Sequence, residues 1–277
     1  MTVGVCGLGL IGGSMAKAYK QSGHTVLGAD RDTAALGYAS LAGIIDGVLD
    51  STSIPTCDLI FIALYPRTSV EYLKSIAPTV DKKTVIIDLC GTKKEICECG
   101  FALAKEYGFT FVGGHPMAGT QYSGIKYSKA TLFKNAPMVL VPEVCDDIFF
   151  LANIKQLLAP AMFGKISVTT AEEHDKMIAF TSQLAHVVSN AYVKSPNAKV
   201  HKGFSAGSYK DLTRVAWLNE DMWANLFLSN VKNISFEIEH IISELQKYNE
   251  CIKNNDYLGL KTLLKEGREC KERCDKV

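Results

Sequence analysis

The sequence predicts an α/β chain in two parts: a parallel β-sheet covered by helices over residues 1–165, then an all-helical region over residues 166–277. Three observations carry this reading. Short apolar, β-branched runs alternate with helical stretches through the first part, and such strands separated by helices mark a parallel sheet buried on both faces. A glycine-rich stretch joins the first strand to the first helix. Beyond Val168 the strand signal fades, and apolar residues recur at helical spacing.

The elements follow in order. Residues 2–6 form a buried strand, followed by glycines and a helix through Ala16, Ala18 and Tyr19. Further strands are expected at 25–30, 58–64, 84–88, 109–112 and 138–141, the last ending before Pro142. The second part opens with a helix over 171–192. A long helix follows Asn219, with Met222, Trp223, Leu226, Phe227, Ile234, Ile238, Ile241 and Leu245 on its apolar face. A last helix follows Asp256 and carries Leu260, Leu263 and Leu264. These apolar faces are generous for so small a helical domain, so a homodimer that shares this core is expected.

Composition narrows the function. The 277 residues are 47% hydrophobic and 21% charged, which excludes a disordered chain. Thirty basic against twenty-nine acidic residues leave a net charge of +1. No global field exists to hold nucleic acid or an anionic membrane, so an anionic ligand must be caught locally. The opening residues lack the features of a signal peptide. With nine cysteines, an odd number, the expectation is a cytoplasmic protein with reduced thiols. Cys97 with Cys99, and Cys270 with Cys274, lie in helical patterns without histidine partners, so no metal site is expected. No apolar run reaches the roughly 18 residues of a membrane span.

The stretch Gly7-Leu8-Gly9-Leu10-Ile11-Gly12 reads G-x-G-x-x-G between a strand and a helix, and Asp30 ends the next strand. Gly7 makes the tight turn, Gly9 admits a pyrophosphate, and Gly12 lets helix pack on strand, with the helix N-terminus facing the phosphates. This is a dinucleotide-binding, Rossmann-type signature. Asp30 should accept the ribose hydroxyls and repel a 2′-phosphate, favouring NAD over NADP, while the neighbouring Arg31 softens that preference.

The richest later stretch is Gly113-Gly114-His115-Pro116-Met117-Ala118-Gly119-Thr120. A histidine just past a strand's C-terminal end stands where open α/β sheets bind ligands. Imidazole is suited to take a proton from an alcohol as hydride leaves. Further on come Glu172-Glu173-His174-Asp175, then His186, then a segment from Gly203 to Arg214. In that segment Lys210 and Arg214 stand at i and i+4, a plausible clamp for a dicarboxylate if helical. A solvated charged face, with Asp211 as internal partner, is the alternative.

Together these stretches resemble the prephenate dehydrogenase family, including its arogenate-using relatives. The matches are Gly7 to Ser14, His115 to Thr120, His174-Asp175, His186, and Lys210-Asp211-x-x-Arg214 followed by Met222-Trp223. The resemblance implies a Rossmann domain followed by a helical dimerisation domain. It implies oxidative decarboxylation of prephenate to 4-hydroxyphenylpyruvate, on the route to tyrosine, with NAD or NADP. Carried over by position, His115 would bond the ring hydroxyl and assist its deprotonation. Arg214, helped by Lys210, would hold substrate carboxylate; His186, Gly207 and Trp223 would line the pocket, although core packing explains Trp223 nearly as well. His174 and Asp175 are expected to be structural, positioning their helix against the cofactor domain, with direct contact the alternative.

Departures from the family pattern matter. Many relatives carry a serine in a D-x-G-S-x-K-like string, and here the string is Asp88-Leu89-Cys90-Gly91-Thr92-Lys93. The serine position holds Gly91, so either Thr92 supplies the catalytic hydroxyl or a water does. Gln121 occupies a spot where relatives often place a carboxylate. A neutral amide offers nothing to the ammonium of arogenate, which favours prephenate as substrate. Only a short basic helical segment follows the helical domain, so any tyrosine feedback is expected to act by competition in the active site. Two rivals remain: a β-hydroxyacid or imine-reducing dehydrogenase, and a dinucleotide-sensing module without catalysis. Neither explains His115 together with the cationic pair.

Overall fold

The computed structural model describes residues 1–120, 122–201 and 203–276. The chain packs as two units, Met1–Asn230 and Val231–Val277. The first unit is built on an eight-stranded sheet: β1 Thr2–Cys6, β2 Thr25–Ala29, β3 Gly47–Val48, β4 Leu59–Ile62, β5 Val85–Asp88, β6 Thr110–Pro116, β7 Pro137–Val141 and β8 Lys165–Val168. Their order is β3-β2-β1-β4-β5-β6-β7-β8. The order reverses between β1 and β4, and the crevice beyond the C-terminal ends of those strands is where such sheets bind ligands.

Helices α1 Leu10–Gln21, α2 Thr33–Leu41, α3 Pro66–Ile76, α4 Lys94–Tyr107 and α5 Ile148–Leu157 alternate with the strands. Strand side chains alternate between faces, and each face has its own core. Val5, Phe61 and Ile87 pack with Met15 and Tyr19 of α1. Ile60, Ile62 and Ile86 pack with Leu73 of α3 and Ile96 of α4. This double burial is why the strands read as unbroken apolar runs.

Three features differ from the sequence expectation. The two-residue β3 is too short to carry a pattern, and β8 is an edge strand whose residues are partly exposed. β6 and β7 pair antiparallel, not parallel, with His115 opposite Val139. That ladder extends β6 to Pro116, so His115 lies inside a strand and not beyond its end.

The helical region begins with α6 Ala171–Ile178, a π-helical turn Ala179–Leu184 and α7 Ala185–Tyr192. Next come α8 Gly207–Thr213, a tight turn Arg214–Ala216 and α9 Glu220–Leu228. The Asn219 side chain caps α9 by accepting the Met222 N–H at 2.9 Å. The single long helix expected after Asn219 is in fact interrupted after Leu228. There Asn230 turns its amide inward and donates to the Asp175 carbonyl and to Gln183 Oε1, each at 2.8 Å.

In the second unit, α10 Val231–Lys253 and α11 Tyr257–Cys274 fold back on one another through Asn255, whose φ is 50°. Asp256 caps α11 by accepting the Gly259 N–H, and the Tyr248 hydroxyl donates to the Leu263 carbonyl at 3.2 Å. Among the described residues no helix is long and apolar enough to cross a membrane.

Candidate active site

The turn after β1 is shaped as a cradle. Gly7 has φ +87°, and a Cβ there would lie 2.4 Å from the Ala63 carbonyl oxygen. A Cβ on Gly12 would lie 1.8 Å from the Gly7 oxygen, so α1 can approach β1 only with glycine at that position. Gly9 differs, because a Cβ would meet nothing within 4 Å. Its glycine is not needed for packing, which fits a surface reserved for something that comes close to the backbone. No side chain caps α1, and its first turn holds no acidic residue. The first intrahelical bond runs from Gly13 N–H to Gly9, which leaves the N–H groups of Leu10, Ile11 and Gly12 without helical partners and the positive end of the helix toward the cradle.

Asp30 stands beside this turn. Its Oδ2 accepts the Leu8 N–H at 2.6 Å and its Oδ1 the Asp32 N–H at 2.8 Å. Two main-chain bonds thus fix the carboxylate at the end of β2, with lone pairs left over for ribose hydroxyls. Arg31 is exposed. The residues present therefore fit a dinucleotide: an open glycine edge, unpaired helix N–H groups and an oriented carboxylate.

His115 is built into a hydrogen-bonded chain. Its Nδ1 lies 2.9 Å from Nε2 of His174, whose Nδ1 lies 2.7 Å from Oδ1 of Asp175. Asp175 in turn accepts the main-chain N–H of Lys93 at 2.7 Å and of Lys94 at 2.9 Å, at the start of α4. A carboxylate only accepts, so His174 donates from Nδ1 and accepts at Nε2. His115 then donates from Nδ1, and its Nε2 lone pair is left free. Burial, with His174 and the Lys93 cation, holds the His115 imidazole well below its ordinary value. Burial also lowers His174, against the opposing pull of Asp175. The result is a neutral, oriented imidazole with one acceptor nitrogen.

His174 and Asp175 were expected to be structural. They do tie the helical region to the sheet, and His174 also bonds His115 directly, with Asp175 behind it. The Thr92 Oγ1 pairs with Ser229 Oγ at 3.0 Å, while the partner of His115 is His174. At Gly91 a Cβ would come within 2.8 Å of Leu226 Cδ2, so Leu226 fills the space a serine side chain would need.

Three of the expected pocket residues, His186, Trp223 and Arg214, form a second group. His186 donates from Nδ1 to the Ser182 carbonyl at 2.9 Å and stacks on Trp223, with ring centroids 3.7 Å apart. Burial lowers His186, and the positive charge of Arg214 adds to the effect. Arg214 therefore stands within electrostatic reach of that ring. Lys210 and Arg214 are both exposed, Lys210 on α8 and Arg214 at its end, and Gly207 is the first residue of α8. Gln121 lies outside the described residues. Sequence reasoning matched Asp88 and Lys93 to the family string without giving either a role; Lys93 is wholly buried and ion-paired with Asp88. The signal was present as an acidic residue ending β5 and a lysine five positions later.

A dinucleotide cradle at the switch point of the sheet, with an oriented, neutral histidine on the same sheet, fits a nicotinamide-dependent dehydrogenase. Comparison with known proteins gives the family. Residues 15–166 match the prephenate dehydrogenase nucleotide-binding domain, and residues 170–266 match the prephenate dehydrogenase dimerization domain. The chain is 32% identical to a prephenate dehydrogenase of Lactococcus lactis subsp. cremoris, over 97% of this chain and 76% of that protein. Among solved structures, prephenate dehydrogenase from Aquifex aeolicus, in complex with hydroxyphenyl propionate and NAD+, superposes with a TM-score of 0.83 at 27% identity, covering 99% of this chain and 98% of that one. Synechocystis arogenate dehydrogenase superposes with a TM-score of 0.79 at 27% identity, covering 99% of both chains. The chain belongs to the prephenate dehydrogenase family.

Proposed function

We propose that this enzyme oxidatively decarboxylates prephenate to 4-hydroxyphenylpyruvate in tyrosine biosynthesis, with NAD as the hydride acceptor. The observation that carries this reading is the His115–His174–Asp175 chain, which leaves a neutral imidazole with Nε2 as its free acceptor. Nε2 takes the hydrogen bond of the C4 hydroxyl, and its proton, as C4 loses hydride. The ring carboxylate leaves as CO2, and the electron pair it leaves behind completes the aromatic ring. The proton returns to the phenol oxygen, so none is released overall. Aromatisation and the loss of CO2 make the step effectively irreversible.

NAD, when bound, supplies the hydride acceptor. Gly7, Leu8, Gly9, Leu10, Ile11 and Gly12 would hold its pyrophosphate, and Asp30 its ribose hydroxyls. A carboxylate fixed at that position disfavours a 2′-phosphate, so NADP is the poorer cofactor even with Arg31 beside it. Arg214, with Lys210, would clamp substrate carboxylate, because a planar guanidinium matches carboxylate geometry. His186, Gly207 and Trp223 would line the same pocket. The neutral amide of Gln121 offers no partner for an ammonium, which supports prephenate over arogenate.

We propose the functional division read from the sequence, with cofactor bound by residues 1–165 and substrate pocket and dimer contacts supplied by residues 166–277. A homodimer through the helical domain is supported by the match to a dimerization domain. Exposed apolar residues of α10 and α11, among them Phe236, Leu245, Ile252 and Leu258, point the same way. As an enzyme of amino-acid biosynthesis it would work in the cytoplasm.

The test is absorbance of reduced cofactor with prephenate or arogenate, each with NAD or NADP. Turnover is expected to be greatest with prephenate and NAD. A kcat/KM for arogenate above that for prephenate would contradict the substrate reading, and no turnover with any of the four pairs would contradict the reaction.

A further inference from the structure

We propose that Lys93 is a positioning residue for this reaction: it acts through His115, holding the backbone that carries this imidazole and the carboxylate that ends its hydrogen-bond chain. The inference rests on the proposed role of His115. Lys93 is wholly buried, and so is its ion-pair partner Asp88. Its Nζ donates to Asp88 and, at 2.6 Å, to the carbonyl of Gly114. Asp88 Oδ2 accepts the N–H of that same Gly114 at 3.2 Å. Both polar groups of the residue before His115 are therefore gripped by one ion pair. There is no slack around them, because a Cβ on Gly114 would meet Met138 Cε at 2.6 Å and the Asp88 carbonyl oxygen at 2.7 Å. At the other end, the main-chain N–H of Lys93 donates to Asp175 Oδ1 at 2.7 Å. One residue thus holds β6 at His115 and the carboxylate behind His174.

Stability alone does not account for such an arrangement. A buried ion pair is often no more stable than an apolar pair of the same volume, because desolvation cancels much of the attraction. The placement is accounted for by what the cation faces. His115 meets His174 from α6 and Lys93 from the segment before α4, with Asp175 behind His174. Cys97 of α4 lies against Gly113, and Asp88 and Cys90 stand at the end of β5. Burial, the largest influence on Lys93, opposes its charge, but the Asp88 carboxylate outweighs it and keeps the ammonium protonated. A fixed positive charge there works against protonation of both histidines, which keeps Nε2 of His115 able to accept.

The test compares Lys93→Met, and the charge-neutral pair Asp88→Asn with Lys93→Met, against the unaltered enzyme, with His115→Asn as reference. The expected result is a kcat lowered by about a hundredfold, with KM for prephenate changed by less than about threefold. The acid limb of the kcat/KM–pH profile should move to higher pH by about half a unit or more, since removing the cation makes His115 easier to protonate. A merely structural lysine would lower the melting temperature and leave the limb where it was. Folded variants with kcat within about threefold of the unaltered enzyme and an unmoved limb would overturn the inference. If His115→Asn itself retained turnover, the reading of the site would fail instead. Should neither Lys93 variant fold, 15N imidazole resonances of the unaltered enzyme decide. They are expected to show His115 still neutral and protonated on Nδ1 at the pH of about 6.5 where an ordinary imidazole is half protonated, and a His115 titrating near that ordinary value would overturn the inference.

Discussion

Nδ1 of His115 and Nε2 of His174 lie 2.9 Å apart across fifty-nine positions of sequence, one ring on β6 and the other on α6. This contact joins the helical region to the sheet at the imidazole proposed to take the substrate proton. It also sets the tautomer of His115, because Asp175 beyond His174 can only accept. The same carboxylate is held by two N–H groups at the start of α4, so the orientation of the imidazole is anchored in main chain.

Replacing His174 with leucine removes the acceptor for His115 and keeps most of the volume. The variant is expected to lose about a hundredfold in kcat while KM for prephenate and for NAD moves by less than about threefold. Steady-state kinetics with both substrates varied would check this. A kcat within about threefold of the unaltered enzyme would show that His115 does not depend on its partner.

The two histidines also make stability depend on pH. Both are lowered in the folded chain, by burial first. As pH falls through about 6.5 the unfolded chain takes up protons that these folded imidazoles refuse, so stability is present above that value and is lost below it. Each histidine contributes up to about 1.4 kcal/mol per pH unit in that window. Urea midpoints at several pH values between about 5.5 and 7.5 are expected to fall less steeply for the double variant His115→Asn, His174→Asn than for the unaltered protein. Equal slopes would remove these two groups from the account.

Two glycines of the cradle should separate binding from folding. Gly9→Ala is expected to leave the melting temperature unchanged, because its Cβ meets nothing within 4 Å. It should weaken NAD binding by about tenfold or more, since the methyl group stands where the pyrophosphate must approach. Gly12→Ala places a Cβ 1.8 Å from the Gly7 oxygen and should destabilise the fold by about 3 kcal/mol or more. Calorimetric titration with NAD and thermal melts of both variants test the distinction. Unchanged NAD affinity in Gly9→Ala would place the cofactor elsewhere.

Local pattern sufficed where function and fold share a short stretch. The glycine turn after β1, Asp30 at the end of β2 and the strand leading to His115 were all readable, because each depends on neighbours in sequence. The partners of His115 were not. His174 and Asp175 gain their meaning from packing α6 against β6, and nothing in Glu172-Glu173-His174-Asp175 announces that contact. Lys93 closes the string that Asp88 opens, but nothing local gives it a role until Asp88 and Gly114 close around it. The turn Ala179–Leu184 keeps helical character while changing its period, so spacing alone passes over it. The break after Leu228 was hidden because apolar residues on both sides share a helical phase, although Ser229 and Asn230 were the local clue.

The most direct test of the central claim is His115→Asn, assayed with prephenate and NAD and titrated with NAD by calorimetry. Asparagine cannot take the hydroxyl proton but leaves the cradle untouched. A kcat lowered by about a thousandfold, with NAD affinity within about twofold of the unaltered enzyme, is the expected result. A variant that kept kcat within about tenfold would show that another group moves the proton, and the assignment built on His115, His174 and Asp175 would be wrong.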